Sequence, residues 1–524
     1  MFHRFACREN YVLWLLCFVV FAALFQVRLG YIPQKEGVHL DEVLSVIISN
    51  NSSYCYNKAL EENVVYTGKQ IKELALFNKV SIADAFEDVK SLYFDNNDRP
   101  HTNLFYSCFR LWFAGITTEN LGEIIDHGCK LNLLFFFISF CLMYGLLCRL
   151  FQKNALLVPF SLLISFGNTG AISNSLFMRP YQLQETLLIA FTYAFVRCYD
   201  AIKTRKNLWN FRNFCKFVPI VGLTLLSGYF AAIYVLMLFG VLLVFCKKTD
   251  QKQNTMFINI SFLSSILFAR LLFCGFFYGF TCGRAGEAYK KFSFNVILQN
   301  FCDSCDALFR IIQDHLFNPY IFCTLVFVAA FVFVRFLRSN LDKRVLLIFL
   351  SCFIWSAGNI FLAPYKVLRY VMACFPILML IFPFVIQQIK EKTLQYAAVA
   401  IVIFFTAGPW NSSAKVDCLF TGQSRLSEFF TSKPDLPVFI FSKRPWNVAY
   451  ILNLFSDIQC YEFPRSKEVF SKRLKSSAFL LFSDEYDAKE IQYYIPEGAT
   501  LIHRGECVSF SVYEIIPYLY NFHY

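Results

Sequence analysis

Charged residues are scarce in this sequence. They make up 16% of its 524 residues, whereas a typical soluble protein carries about 25%. Hydrophobic residues reach 57% and the mean hydropathy is +0.47, so an ordinary soluble protein is excluded. The sequence also lacks internal repeats, low-complexity tracts and a small-residue cleavage site after its first apolar run. That run is therefore interpreted as a retained helix rather than a cleaved signal peptide.

Long apolar runs are abundant instead. Their lengths of roughly 17 to 25 residues suit helices that cross about 30 Å of hydrocarbon, and we predict a polytopic α-helical membrane protein with about eleven transmembrane helices. The stretch 217–246 fits either one long helix or two joined at Ser227-Gly228-Tyr229, and two keep the later basic groups on one side. The predicted spans are 11–29, 130–148, 155–171, 182–197, 217–228, 230–246, 256–277, 319–337, 345–362, 370–387 and 394–409.

The net charge of +12 reflects orientation rather than a nucleic-acid partner. Basic residues concentrate between alternate spans, whereas the loop 30–130 is richer in acidic residues. The positive-inside rule then places the N-terminus in the cytoplasm. We expect a multi-pass protein of the cytoplasmic (inner) membrane, in contact with membrane lipids, whose C-terminal domain is extracytoplasmic.

Two domains follow from the pattern. Residues 1–410 form the transmembrane domain, with 30–130 as its first outside loop, and residues 411–524 have the composition of a soluble α/β domain. Amphipathic stretches at 40–49, 69–79 and 82–93 are expected to be short helices on the outer membrane surface. In the C-terminal domain we predict strands at 437–442, 458–463, 478–483, 499–503 and 507–515, with helices at 446–455 and 484–494.

Polar motifs cluster near the predicted outer surface. Asp41 and Glu42 follow His39 shortly after the first span, where a partly desolvated carboxylate can orient a hydroxyl or accept its proton. The alternative is a helix start with Asp41 near the helix dipole. His101 belongs to the segment 95–106, which is otherwise a loop before a capped helix.

Cations accompany tyrosines at two later helix mouths. Arg179 precedes Tyr181 by two residues, and Lys366 and Arg369 precede Tyr370. These cations suit a phosphate clamp or interface anchoring. Arg270 lies inside an apolar run, where it either snorkels outward or serves a buried anion.

These motifs, in this order, resemble the polyprenyl-phosphate-dependent glycosyltransferases of the GT-C fold, the superfamily that includes protein mannosyltransferases and lipid A aminoarabinose transferases. The acidic pair Asp41-Glu42, the segment 99–106, the Arg179-Pro180-Tyr181 triplet and the Arg369-Tyr370 pair carry the resemblance. The usual Pro-Pro-Leu-Tyr is replaced here by Pro-His-Thr-Asn-Leu-Phe-Tyr.

The resemblance implies an enzyme that moves a sugar from a polyprenyl-phosphate donor to a lipid, glycan or protein acceptor. Asp41 would act as general base or acceptor orienter, supported by Glu42. The implied donor-phosphate residues are Arg369, Lys366, Arg179 and Arg270, and the implied sugar or acceptor residues are His101, Tyr181 and Tyr370. No cofactor is required; a divalent metal is possible, with His39, Asp41 and His101 as candidates.

Other classes remain open from the sequence. A polysaccharide polymerase or ligase gives no reason for an acidic pair so soon after the first helix, and a flippase predicts charges along a mid-membrane path. A non-catalytic relative that binds a lipid-linked sugar is a further alternative. The 20 cysteines do not form one disulfide scaffold, and Cys302 and Cys305 form a lone CxxC for which a local disulfide or free thiols are expected.

Overall fold

The structure is a computed structural model of the chain. It describes residues 9–50, 61–73, 76–77, 81–96, 101–151, 156–281, 289–316, 343–406, 415–420, 430, 432–443, 456–464, 466–507 and 510–517. The predicted span 319–337 and the predicted helix 446–455 lie outside these residues.

Helices dominate up to residue 406. Those before residue 121 are α1 (Glu9–Tyr31), α2 (Leu40–Ser49), α3 (Gly68–Lys72), α4 (Ile82–Phe94) and α5 (Leu104–Trp112). The following ones are α6 (Leu121–Leu150), α7 (Leu157–Phe166), α8 (Thr169–Leu176), α9 (Tyr181–Lys203), α10 (Phe211–Leu226), α11 (Ala231–Lys248) and α12 (Lys252–Leu272). After them come α13 (Phe294–His315), α14 (Lys343–Leu362), α15 (Phe375–Leu378), α16 (Ile381–Ile386) and α17 (Lys392–Thr406).

Within the described residues, five helical stretches are long and apolar enough to cross a membrane, which agrees with an integral membrane protein. They are Tyr11–Gln34, Leu121–Leu150, Ala231–Lys248, Lys252–Leu272 and Lys343–Leu362. Shorter apolar helices accompany them, and α6 packs along α9 while α10 packs along α12. The orientation across the membrane stays a prediction.

Three predicted apolar stretches are each divided into two or more helices in the structure. The stretch 217–246 is two helices, as expected, because α10 ends before Ser227 and α11 begins at Ala231. Gly228 suits this joint, since a Cβ there would lie 2.8 Å from Gln184 Nε2. The predicted spans 155–171 and 370–387 are instead broken into α7 with α8, and into α15 with α16 and two short 3₁₀ turns.

In the described part of the chain, the C-terminal region and one strand of the first loop form a six-stranded mixed sheet in the order β1-β3-β2-β4-β6-β5. The strands are β1 (Val65–Thr67), β2 (Val438–Phe441), β3 (Cys460–Glu462), β4 (Ala478–Ser483), β5 (Thr500–Cys507) and β6 (Phe510–Ile516), with helices α18 (Lys467–Arg473) and α19 (Ala488–Tyr494). All the described predicted strands are therefore present. The edge strand β1 comes from the first loop, which the sequence did not predict, so both predicted domains contribute to one sheet.

The first loop is more deeply buried than expected. Almost every residue of α2 is buried, and its apolar side chains share one core with Val438 and Ile440 of β2. The expectation that the stretch 40–49 lies on the membrane surface is wrong, because both faces of this helix are covered by protein. Helix α4 does keep exposed apolar side chains, such as Ile82 and Phe86.

A buried ion pair joins α4 to α5. Arg110 Nε lies 2.7 Å from Asp88 Oδ2, and the two side chains are 0% and 4% exposed. We expect Arg110→Met to lower the free energy of unfolding of the first loop by roughly 3–5 kcal/mol, because Asp88 would stay buried without its cation. Native-state proteolysis measures this change.

The matched control is Lys130→Met. Its ion pair with Asp126 is nearly half exposed on both sides, so water screens it and the expected cost is at most about 1 kcal/mol. Equal effects of the two substitutions would contradict the role given to the buried pair.

Candidate active site

The acidic pair lies at the start of α2, where His39 caps the helix. The Asp41 backbone N–H donates to His39 Nδ1 at 3.1 Å, and the His39 backbone N–H donates to Glu42 Oε2 at 2.7 Å. This reciprocal capping box satisfies two of the helix's first N–H groups. It also turns the two adjacent carboxylates in different directions.

Glu42 is completely buried and anchors the surroundings of the site. Its carboxylate lies 3.0 Å from Lys35 Nζ and accepts a hydrogen bond from the Met178 backbone N–H at 2.9 Å. Burial raises the pKa of Glu42 against the opposing effects of Lys35 and the two N–H donors. Its partners are Lys35 and the backbone N–H groups of His39 and Met178, so Glu42 holds these three residues around it.

Asp41 faces two arginines. Its Oδ2 lies 3.0 Å from Arg369 Nη1, and its backbone carbonyl accepts from Arg179 Nη1 at 3.0 Å. Burial alone would raise the pKa of Asp41, but Arg179 and Arg369 lower it from 3.8 to about 2. Asp41 is therefore an anion at neutral pH.

Arg179 is buried where the chain passes from α8 to α9, and it binds groups from two other parts of the sequence. The hydrogen bond from the Met178 backbone N–H to the Glu42 carboxylate fixes the residue just before Arg179. The partners of its guanidinium are the Asp41 carbonyl, Ser45 Oγ, Tyr106 Oη and His101 Nε2, at 3.0, 3.0, 3.2 and 3.0 Å. The predicted residues Arg179 and His101 are thus brought together beside Asp41.

Arg369 Nη1 and His39 Nε2 lie side by side next to Asp41. Arg369 Nη1 lies 3.2 Å from His39 Nε2. We assign the proton to Nε2, because Nδ1 accepts from the Asp41 N–H while the alternative contact of Nδ1 with Asp41 Oδ2 is long, at 3.5 Å. Burial lowers the pKa of His39 to about 4, so the ring is neutral. Two facing donors favour an oxygen that accepts from both, as a phosphate oxygen would.

The Nε atom of Arg369 supports this interpretation. Within the described part of the chain, its buried Nε–H has no hydrogen-bond partner. A buried donor of this kind is costly unless an acceptor satisfies it. The edge of the cluster formed by His39, Asp41 and Arg369 is therefore suited to an anion.

Aromatic rings form a wall next to these cations. The rings of Tyr181 and Tyr370 meet edge to face with centroids 6.4 Å apart, and Phe177 stacks on Tyr181 at 5.9 Å. The guanidinium of Arg369 lies 5.4 Å from the centroid of Tyr370. Both predicted tyrosines are therefore at the site.

Two predicted cations lie elsewhere. Lys366 Nζ donates to Asn300 Oδ1 at 2.8 Å and to Ser304 Oγ at 2.6 Å on α13, at the edge of a separate cavity of about 540 Å³. Arg270 is half-buried in the last turn of α12. Among the described residues, it forms no hydrogen bond or ion pair with Asp41 or Arg369. Arg369, and not Lys366, is the cation that lies beside the Asp41 carboxylate.

Sequence reasoning missed Lys35, the buried partner of Glu42. Its signal was a lysine placed just after the first apolar run and seven residues before the second carboxylate, which is also typical of an interface anchor. Ser45, one turn after Asp41 on α2, was missed too, because a lone serine on a helix carries no pattern.

The candidate metal ligands do not suit a cation. His39 Nδ1 accepts from the Asp41 N–H, His101 Nε2 lies 3.0 Å from Arg179 Nη2, and Asp41 Oδ2 lies 3.0 Å from Arg369 Nη1. The two guanidinium groups would repel a divalent ion. Within the described ranges, no group of three or more His, Cys, Asp or Glu residues could hold a metal. Cys302 and Cys305 are free thiols.

Comparison with protein-family models finds no match, and comparison with curated proteins finds none either. Among solved structures, the chain is similar to the crystal structure of ArnT from Cupriavidus metallidurans bound to undecaprenyl phosphate. The two are 10% identical, the similarity covers 97% of this chain and 98% of that chain, and the TM-score is 0.44. Identity and score at this level do not assign the chain to a family.

We predict that Asp41 stays ionised down to about pH 2 and that Arg369→Gln moves its titration upward, because burial then acts against a weaker positive field. Since folding lowers the pKa of Asp41, its contribution to stability is complete above about pH 4 and is lost as the pH falls toward 2. The infrared carboxyl band of the protein, minus that of Asp41→Asn, follows this titration. An Asp41 signal that titrates at its ordinary pKa, or one that Arg369→Gln leaves in place, would show that the arginines do not control it.

Proposed function

We propose that this protein is a membrane glycosyltransferase that transfers a sugar from a polyprenyl-phosphate donor to an envelope lipid, glycan or protein acceptor at the outer leaflet. The observation that carries the proposal is the ionised Asp41 carboxylate 3.0 Å from Arg369 Nη1, beside two donors that suit a phosphate oxygen. The order of the motifs along the sequence supports the same reaction class.

Arg369 and the His39 Nε2–H group would bind the donor phosphate. Arg369 is partly accessible, with 17% of its side chain exposed, whereas Arg179 is buried and fixed by the groups around it. Hydrogen bonds from a guanidinium to phosphate oxygens strengthen as the sugar–phosphate bond breaks and negative charge builds on the departing phosphate. This stabilises the transition state more than the ground state.

Asp41 would orient the acceptor and receive its proton. With a pKa of about 2, the isolated carboxylate is a weak base, because the best general bases have a pKa near the working pH. Binding of an anionic phosphate to Arg369 adds negative charge beside Asp41 and raises its pKa. The donor thus prepares the carboxylate for an acceptor hydroxyl, while an already ionised acceptor needs only orientation.

The remaining predicted residues have supporting roles in this proposal. Glu42 holds Met178 and His39 in place, so Arg179 and the helix cap stay aligned with Asp41. Tyr181 and Tyr370 provide an apolar wall against which a sugar ring or the first prenyl units can pack. Neither Lys366 nor Arg270 is needed for the phosphate contacts.

A flippase is the second candidate, because buried charges lie among the helices. Arg28 of α1 and Glu185 of α9 are both buried, and charges at such places often mark transport pathways. Arg28 is bonded to Ser175 and to backbone carbonyls, however, and Glu185 accepts from Asn174 and Gln182. These contacts favour a structural role.

Mass spectrometry of lipid-linked sugars and envelope glycans tests the reaction class. Cells that lack the gene should accumulate a polyprenyl-phosphate sugar and lose one glycan modification, which the wild-type protein restores and Asp41→Asn does not. The control Asp435→Asn changes an exposed carboxylate of the C-terminal region and should restore both pools. The flippase alternative is separated by purified protein in detergent, where a transferase works without any membrane to cross. Transfer by Asp41→Asn at the wild-type rate would refute the assignment.

In the purified system we expect Arg369→Gln to lower kcat roughly 10²- to 10³-fold, because one preorganised donor to the leaving phosphate is lost. Arg212→Gln removes an exposed guanidinium at the start of α10 and should leave kcat unchanged. Steady-state transfer rates on folded protein measure both. A kcat for Arg369→Gln that equals the Arg212→Gln value would exclude Arg369 as the phosphate ligand.

A further inference from the structure

Residues 415–420, which we call the strap, cross the first loop next to the cluster of His39, Asp41 and Arg369. The Glu36 backbone N–H donates to the Leu419 carbonyl at 3.0 Å, and the Asp417 backbone N–H donates to Ser173 Oγ at 2.9 Å. The strap is therefore attached both to the first loop and to α8. It lies in sequence between the helical part and the C-terminal sheet.

The strap has an unfavourable backbone. Cys418 and Phe420 have φ angles of 71° and 51°, in the left-handed region that residues other than glycine rarely adopt. Such conformations persist only where the surrounding contacts hold them, and they cluster at functional sites. The contacts that hold the strap are therefore informative.

Lys35 supplies one of these contacts from a buried side chain. Its side chain is 0% exposed, and Nζ donates to the Cys418 carbonyl at 2.6 Å and to the Glu42 carboxylate. The ring centroid of Phe420 lies 4.9 Å from Lys35 Nζ and 6.0 Å from the ring of His39. One ammonium group thus joins the strap to the carboxylate that organises the site.

We propose that Lys35 is a positioning residue that fastens the strap over the first loop and so keeps His39 and the Met178–Arg179 backbone aligned with Asp41. The effect on the strap is independent of what the protein catalyses, whereas the effect on turnover rests on the proposed function. Among the described residues, Lys35 forms no hydrogen bond or ion pair with Asp41 or Arg369, so it acts through Glu42 and the strap.

Loss of the ammonium group has a defined consequence. Lys35→Met leaves the Cys418 carbonyl without this donor and Glu42 buried without its cation. We expect the strap to open more often, and the half-buried free thiol of Cys418 to become accessible. Lys35→Arg keeps a cation and its donors, and it should stay close to wild type.

Peptide-mapped alkylation of Cys418 in full-length protein in nanodiscs tests the strap directly, with iodoacetamide as the probe. We expect Cys418 to react at least about tenfold faster in Lys35→Met, because local opening exposes it. The exposed Cys460 should react equally in all variants, which controls for the activity of the reagent. Lys130→Met, which removes an exposed lysine, should leave both rates unchanged. A Cys418 rate in Lys35→Met equal to wild type would overturn the proposal.

The same preparations distinguish positioning from mere stability. In Lys35→Met we expect kcat on folded protein to fall at least about tenfold while the KM for the donor changes less than about twofold, because small misplacements reduce turnover strongly. Lys35→Arg should recover most of the loss. An opened strap with unchanged kcat would show that Lys35 positions nothing. A wild-type protein without transfer activity would refute the proposed function and leave the alkylation result standing.

Discussion

The site depends on one buried carboxylate. Glu42 accepts hydrogen bonds from the backbone of His39 and Met178 and is paired with Lys35 inside the protein. A buried charge is tolerated only where such partners satisfy it. Because these partners come from the first loop and from the connection between α8 and α9, the carboxylate holds separate parts of the chain in a single arrangement. Asp41 acquires its position from that arrangement.

Two adjacent carboxylates therefore have different roles. Burial raises the pKa of Glu42, whereas the arginines around Asp41 lower its pKa to about 2. The difference comes from what each side chain faces, since neighbouring residues at a helix start point in different directions. Glu42 faces its buried partners, whereas Asp41 stays charged beside Arg369.

Much of the architecture followed from the sequence, because apolar length and alternation report burial directly. Within the described residues most predicted spans are helices, although 155–171 and 370–387 are broken, and the joint near Gly228 and the predicted C-terminal strands are confirmed. The motif pairs Asp41 with Arg369 and Arg179 with His101 are neighbours in space. Lys35 and strand β1 were not predictable, because a single lysine and a three-residue strand gain meaning only from partners distant in sequence. The same reason explains Lys366, whose bonds to α13 draw it away from the site.

We propose above all that Arg369 and His39 form a site for a lipid phosphate beside Asp41. The most direct measurement is the phosphorus NMR signal of a polyprenyl phosphate titrated into nanodiscs that contain the purified protein. We expect a shifted, saturable bound signal in the wild type that uncharged polyprenol does not displace and that Arg369→Gln loses. A bound signal that survives in Arg369→Gln, or that polyprenol displaces as well as the phosphate does, would contradict it.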